Sequence, residues 1–284
     1  MSLFEQYIIK LAEKVVFINN LFNNLFYIKY LFLQLIKNMT YYNQTNFDIR
    51  CEWGKKGVEQ LAPISDVIII VDILSFSTCI EIANNRGVII FPYDYKNESA
   101  QEFAKSVNAK LATRRGGSGY SLSPASLIHI PENTRLVLPS PNGSSLSLGT
   151  GKTPTLAGCL RNCRSVALAA KNYGNCIAVI PAGEKWHDGS LRPSFEDLIG
   201  AGAIINYLPG NLSPEAQVAL AAYCHAQRNI KDLLKQCASG IELIGKGFEQ
   251  DVNLAAELDV SNCIPTLTST LSILLDKAYI HQVG

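Results

Sequence analysis

Apolar and polar positions alternate along this chain in blocks. Short apolar runs bounded by glycine or polar turns are followed by segments with an apolar residue every three or four positions. The run 176–182 (CIAVIPA) lies between Gly174 and Gly183 and has the profile of a strand buried on both faces of a parallel sheet. A polar loop, 184–193, follows it. Ser194 then stands three residues before Asp197, a capping-box spacing, and Leu198, Ile199, Ala201, Gly202 and Ile205 give the ensuing helix an apolar face. The same alternation begins upstream. It predicts a strand over 67–72 that ends in Asp72, a helix over 75–85 stopped by Gly87, a strand over 88–93 and a helix over 98–107. Strands over 109–113, 135–138 and 155–160 follow, then a helix over 163–171. After residue 208 the pattern turns mostly helical (213–227, 230–238, 240–244 and 251–258), with a last strand over 264–268. Strands alternating with helices imply right-handed crossovers and a three-layer α/β/α fold around a largely parallel central sheet.

Residues 1–38 break this alternation. They are rich in Phe, Leu, Ile and Asn, yet Asn, Lys and Gln interrupt each apolar window before it can span a bilayer. The segment also lacks the basic start, apolar centre and small-residue cleavage site of a secretory signal. It reads as an N-terminal extension upstream of a natural start at Met39; an amphipathic helix that packs on the domain or touches a membrane surface is the other reading. The stretch 39–284 reads as one α/β domain.

Composition narrows the function classes. A chain of 284 residues, 48% hydrophobic, has ample core, and its net charge of +1 argues against a nucleic-acid surface or a polybasic membrane face. The eight cysteines form no CxxC pair and mostly sit in apolar runs, as reduced thiols of a cytoplasmic protein do. The segment 149–153 (GTGKT) imitates a phosphate-binding loop. Leu146 occupies the place of the required earlier glycine, and Pro154 stands where a helix interior should continue.

The candidate chemistry follows the strands. Asp72 ends the first predicted strand, Arg114 and Arg115 follow the third, Asn142 follows the strand ending at Leu138, and Glu184 follows 176–182. In a doubly wound sheet these ends share one edge, so the residues are expected to converge on one cleft. Carboxylates, guanidinium groups, an amide and Gly-rich backbone suit an anionic substrate with a hard cation. Carboxylate oxygens bind Mg²⁺, and Arg forks and helix N-terminal amides hold phosphate. Each residue also has a plainer reading. Asp72 could cap the helix near Ser75, Glu196 and Asp197 are ordinary first-turn acids, and Asn142-Gly143 is a common turn pair. Arg114 and Arg115 could be solvated loop charges, His187 an idle loop residue and Asp251 another cap.

Several spaced blocks resemble the 2-phosphosulfolactate phosphatases, Mg²⁺-dependent enzymes associated with coenzyme M synthesis. The blocks are VDILSFST (71–78), RRGG (114–117), SLSP (121–124), SPNGS (140–144), PAGE (181–184) with FEDLIGAGAI (195–204), and GFEQDV (247–252) with Ile264 and Pro265. The chain departs from the family pattern in places. Ser75 replaces an Arg, Arg114 replaces a Glu, Leu122 replaces an Asn, Ser140-Pro141 replaces a Thr pair, and the loop after Glu184 is altered. Losing an Arg removes a bidentate donor, and gaining Arg114 reverses a local charge. The resemblance implies an α/β phosphoric monoester hydrolase that uses Mg²⁺ to cleave a small phosphorylated, sulfonated acid. Asp72, Glu184 and Asp197 are the expected metal ligands, with Asp72, Glu184 and Arg115 at the chemical step. Arg114, Arg115, Asn142, Gly143 and Ser144 are expected to hold the substrate. No nucleic acid and no membrane span are expected, and a homodimer is compatible with this reading. The alternative is a homologue of the same fold that binds a small anion without turning it over, or that has diverged in substrate.

Overall fold

The computed structural model describes residues 41–94, 98–269 and 277–281; the expected extension over 1–38 lies outside them. In chain order the body carries β1 (Ile49–Cys51), α1 (Gly54–Leu61), β2 (Val67–Val71), α2 (Phe76–Asn84), β3 (Ile89–Tyr93), α3 (Glu98–Ser106) and β4 (Lys110–Leu111). Then come α4 (Pro124–Leu127), β5 (Arg135–Pro139), α5 (Gly143–Gly149), β6 (Thr155–Gly158), α6 (Cys163–Ala170) and β7 (Ile177–Pro181). A small hairpin, β8 (Glu184–Lys185) and β9 (Leu191–Arg192), precedes five helices: α7 (Phe195–Ile205), α8 (Pro214–Ala226), α9 (Ile230–Gln236), α10 (Ala238–Gly245) and α11 (Glu249–Ala255). The strands β10 (Pro265–Ser269) and β11 (Lys277–His281) complete the described residues.

Nine strands form one sheet in the order β1-β7-β2-β6-β10-β11-β3-β5-β4. β1, β7, β2 and β6 are mutually parallel, as are β3, β5 and β4. The antiparallel pair β10–β11 joins these two groups, and each of its outer pairings is antiparallel too. The two parallel groups therefore run in opposite directions. The strand ends that carry Asp72 and Asn142 do not share one edge, as a doubly wound sheet would require. They meet by another route. α5 turns back from the end of β5 and lies on the sheet, with Leu146 packed among Val58, Leu61, Ile68 and Ile70. Ser147 on the same helix accepts a hydrogen bond from Tyr279 of β11 at 2.8 Å. The first residue of α5, Gly143, reaches Asp72 just past the end of β2.

Alternate residues of β2 serve two cores, because side chains along a strand point to opposite faces. Val67, Ile69 and Val71 pack with residues of α6, α7 and α8, and Ile68 and Ile70 pack with α1 and α5. α2 and α4 cover β3 and β5 on one face, and α3 covers the other. The result is the expected three layers. Ser194 does begin α7, but its hydroxyl donates to the Asp197 side chain and not into a reciprocal capping box. All eight cysteines are free thiols. Among the described residues no helix is long and apolar enough to cross a membrane. The GTGKT segment closes α5 and leads into β6, the reverse of the strand-to-helix order that a phosphate loop needs.

Candidate active site

β2 is buried along its whole length, so the chain leaves it through a turn whose polar groups must find partners inside the protein. Asp72 supplies them. Its Oδ1 accepts the Phe76 amide, the first of α2, and its Oδ2 accepts the Gly143 amide, the first of α5, each at 3.0 Å. The predicted cap is thus real, but it caps two helices at once. Gly143 must be glycine for this approach. A Cβ there would lie 2.1 Å from the Phe76 ring and 2.8 Å from Asp72 Oδ2.

Asn142, one residue earlier, donates from Nδ2 to Glu184 Oε2 at 3.0 Å. Glu184 begins β8 just beyond β7, where Gly183 turns the chain at φ +68°. The dipeptide Asn142-Gly143 therefore links the two carboxylates, one through a side-chain amide and one through a backbone amide. Asp197 lies beneath them. Its Oδ1 accepts the Ile73 amide at 2.7 Å, and its Oδ2 accepts the Gly183 amide at 2.9 Å and the Ser194 hydroxyl at 2.7 Å. Those bonds tie the turn after β2 to the turn after β7.

A cavity of about 490 Å³ opens beside these groups. Its charged lining is Asp72, Glu184 and Glu242 against Arg114, Arg115 and Lys246. Asn142 lines it as well. Of the expected residues, the fold thus brings Asp72, Arg114, Arg115, Asn142 and Glu184 to one cavity. It does not bring Gly143, Ser144 or Asp197 to the wall. The Gly143 amide is bound to Asp72, the Ser144 hydroxyl donates to the Leu138 carbonyl at 2.9 Å, and Asp197 faces the two turns. His187 sits exposed at the tip of the β8–β9 hairpin.

Arg115 is the best-held cation of the cavity. Nη1 donates to Asp251 Oδ2 at 2.8 Å and Nη2 to Ser75 Oγ at 2.9 Å, and the guanidinium lies 5.4 Å from the centre of the Phe248 ring. Lys246 pairs with Glu242. Among the described residues Arg114 makes no ion pair, and the residue is exposed. Phe248 on the wall belongs to the 247–252 block already singled out; the residues that sequence reasoning missed come from α10 and its C-terminal end: Ser239, Glu242, Leu243 and Lys246. Nothing in their order sets them apart from an ordinary exposed helix, since Glu242 and Lys246 have the spacing of a common surface pair.

Burial pushes the Asp72 carboxyl up to about 7; the charges of Glu184 and Glu196 add to this, against the Phe76 and Gly143 amides. Glu184 is raised by burial too, with the Asn142 amide opposing. Asp197 stands well above the usual carboxylate range through burial and the charges of Asp72 and Glu196, although its donors favour the ionised form. Two desolvated carboxylates facing one cavity would repel a phosphate. A bound divalent cation removes that repulsion and returns the acids to their ionised forms. Mg²⁺ commonly takes one or two carboxylates and fills its remaining positions with water and phosphate oxygens. Asp72 and Glu184 fit that pattern. Asp197 does not join them in a cage: among the described residues no three His, Cys, Asp or Glu side chains are grouped as a metal site.

Comparison with known proteins bears on this geometry. The profile of the 2-phosphosulpholactate phosphatase family matches residues 55–270. A 2-phosphosulfolactate phosphatase of Methanothermobacter thermautotrophicus is 28% identical over 204 residues, which is 71% of this chain and 86% of that protein. A probable 2-phosphosulfolactate phosphatase of a Synechococcus strain is 29% identical over 218 residues, 71% of this chain and 88% of its own length. One from Carboxydothermus hydrogenoformans, also described as probable, is 28% identical over 207 residues, 70% of this chain and 84% of its own.

Proposed function

Because the chain belongs to the 2-phosphosulfolactate phosphatase family, we propose that it is a phosphoric monoester hydrolase acting on 2-phosphosulfolactate, or on a small acid with the same pairing of a phosphate ester and a second strong acid group. Water attacks phosphorus, the ester P–O bond breaks, and the departing oxygen takes a proton to give sulfolactate and phosphate. The observation that carries this reading is the joining of Asp72 and Glu184 through Asn142-Gly143 at a cavity that also holds Arg114 and Arg115. Asp72 and Glu184 would hold Mg²⁺, which supplies charge neutralisation on the phosphoryl oxygens and lowers the pKa of a bound water. Asn142 fixes the orientation of Glu184. Arg115 and Arg114 bind the substrate's anionic groups, and Asp197 keeps the two strand-end turns in register. The guanidinium absent at Ser75 is matched by Arg114 on the same cavity, which favours turnover over the non-catalytic alternative. Eight free thiols suit a reducing compartment, so the same reading includes a cytoplasmic enzyme, and the family resemblance extends it to coenzyme M synthesis.

Phosphate release from 2-phosphosulfolactate, measured with Mg²⁺ and with a chelator, tests this proposal. Glu184→Gln is expected to lower kcat/KM by roughly 100-fold or more and to blunt the response to Mg²⁺. Full activity and an unchanged Mg²⁺ response in that variant would show that the site is misplaced.

A further inference from the structure

Asp251 occupies the first turn of α11, a position where an acid ordinarily serves its own helix. It does not do so here. Its side chain is 1% exposed, and both of its oxygens are bound to other parts of the chain. Oδ2 accepts from Arg115 Nη1 at 2.8 Å. Oδ1 accepts from the Ser123 hydroxyl at 2.7 Å and the Ala125 amide at 2.9 Å. The carboxylate is therefore gripped from behind by the start of α4 and grips Arg115 in front. Ser75 and Phe248 restrain the same guanidinium from two further segments. An arginine has five N–H donors, and these contacts use only one on each terminal nitrogen. Nε–H and one hydrogen on each terminal nitrogen remain, on a side chain that lines the cavity and is 18% exposed.

We propose that Asp251 is a positioning residue for Arg115, aiming the remaining donors of its guanidinium at the acid group of the substrate that is not the phosphate ester. This rests on the phosphatase reading for the identity of the substrate, but not for the Asp251–Arg115 geometry. An anion held equally in the ground and transition states affects KM and not kcat. A purely structural Asp251 would alter stability and leave KM alone.

The test is a double-mutant cycle on the full chain, with KM, kcat and thermal midpoint measured for wild type, Asp251→Asn, Arg115→Ala and the double variant. Each single change is expected to raise KM roughly 10- to 100-fold, because small misplacements of a binding group have effects of that size. In Asp251→Asn, kcat should fall by less than roughly threefold. The double variant should match Arg115→Ala within roughly twofold, since an aspartate that acts through the arginine has nothing left to position. Effects on KM that multiply, or an Asp251→Asn variant with a lower midpoint and an unchanged KM, would overturn the proposal. If Asp251→Asn does not fold, Ser123→Ala replaces it, with an expected KM rise of roughly threefold that vanishes in the Arg115→Ala background; no rise overturns the proposal. If wild type does not hydrolyse 2-phosphosulfolactate, it is the phosphatase reading that has failed. The same four proteins are then compared by calorimetry with inorganic sulfate. Weaker, non-additive binding in the variants supports the positioning role, and equal binding in wild type and Asp251→Asn ends it.

Discussion

A single methyl group tests the core of the site. Gly143→Ala would put Cβ against the Phe76 ring and Asp72 Oδ2 at distances that no relaxed structure keeps. Phe76 is itself buried against Tyr279, with ring centres 6.3 Å apart, so it has little room to yield. Urea unfolding should show a loss of about 3 kcal/mol, as overpacking of a tight interior does, with kcat/KM falling because Asp72 is displaced. Unchanged stability would mean that the α2–α5 contact is looser than described. At this scale much of the site was legible. Asp72, Arg115, Asn142 and Glu184 announce themselves as polar residues directly after apolar runs. Asp251 does not. An acid in a first helical turn reads as a cap, and its actual partners lie 128 and 136 residues away in the chain.

Elements that the pattern missed are those whose stability comes from elsewhere in the fold. α5 has the sequence GSSLSLG, poor in helix formers, and reads as a loop. It is helical because Leu146 is buried among α1, β2 and β7 and Ser147 reaches Tyr279, contacts that no local window contains. β1 is too short to show a period. The turns after β2 and β7 depend on a different device. Asp197→Ala would orphan the Ile73 and Gly183 amides, each buried N–H costing about 1–3 kcal/mol. Chemical denaturation should register the sum, a loss of about 2–6 kcal/mol. A variant as stable as wild type would return Asp197 to the list of candidate metal ligands.

For the whole molecule, the layers and the mainly parallel sheet could be read from the alternation of apolar runs and periodic segments. The directions of the two strand groups could not, because strand pairing is a long-range choice that leaves no mark on hydrophobic period. The buried acids set a pH dependence for the fold. Asp72 is raised from 3.8 to about 7, and Glu184 and Asp197 shift the same way. As pH climbs through this window the unfolded chain releases its protons first and the folded chain retains them, so unfolding becomes easier. The thermal midpoint, followed with a chelator present, should therefore fall between about pH 5 and pH 8. Added Mg²⁺ should restore it at the upper end by binding the ionised acids. A midpoint that rises over this range, or that ignores Mg²⁺, would contradict the desolvated-carboxylate description.

The strand order has one more consequence. β10 and β11, the last strands described, stand in the middle of the sheet between groups made much earlier in the chain. A ribosome releasing this polypeptide must therefore deliver its keystone after the flanking stones. Until then β6 and β3 each present an open backbone edge, the kind of surface on which neighbouring nascent chains associate.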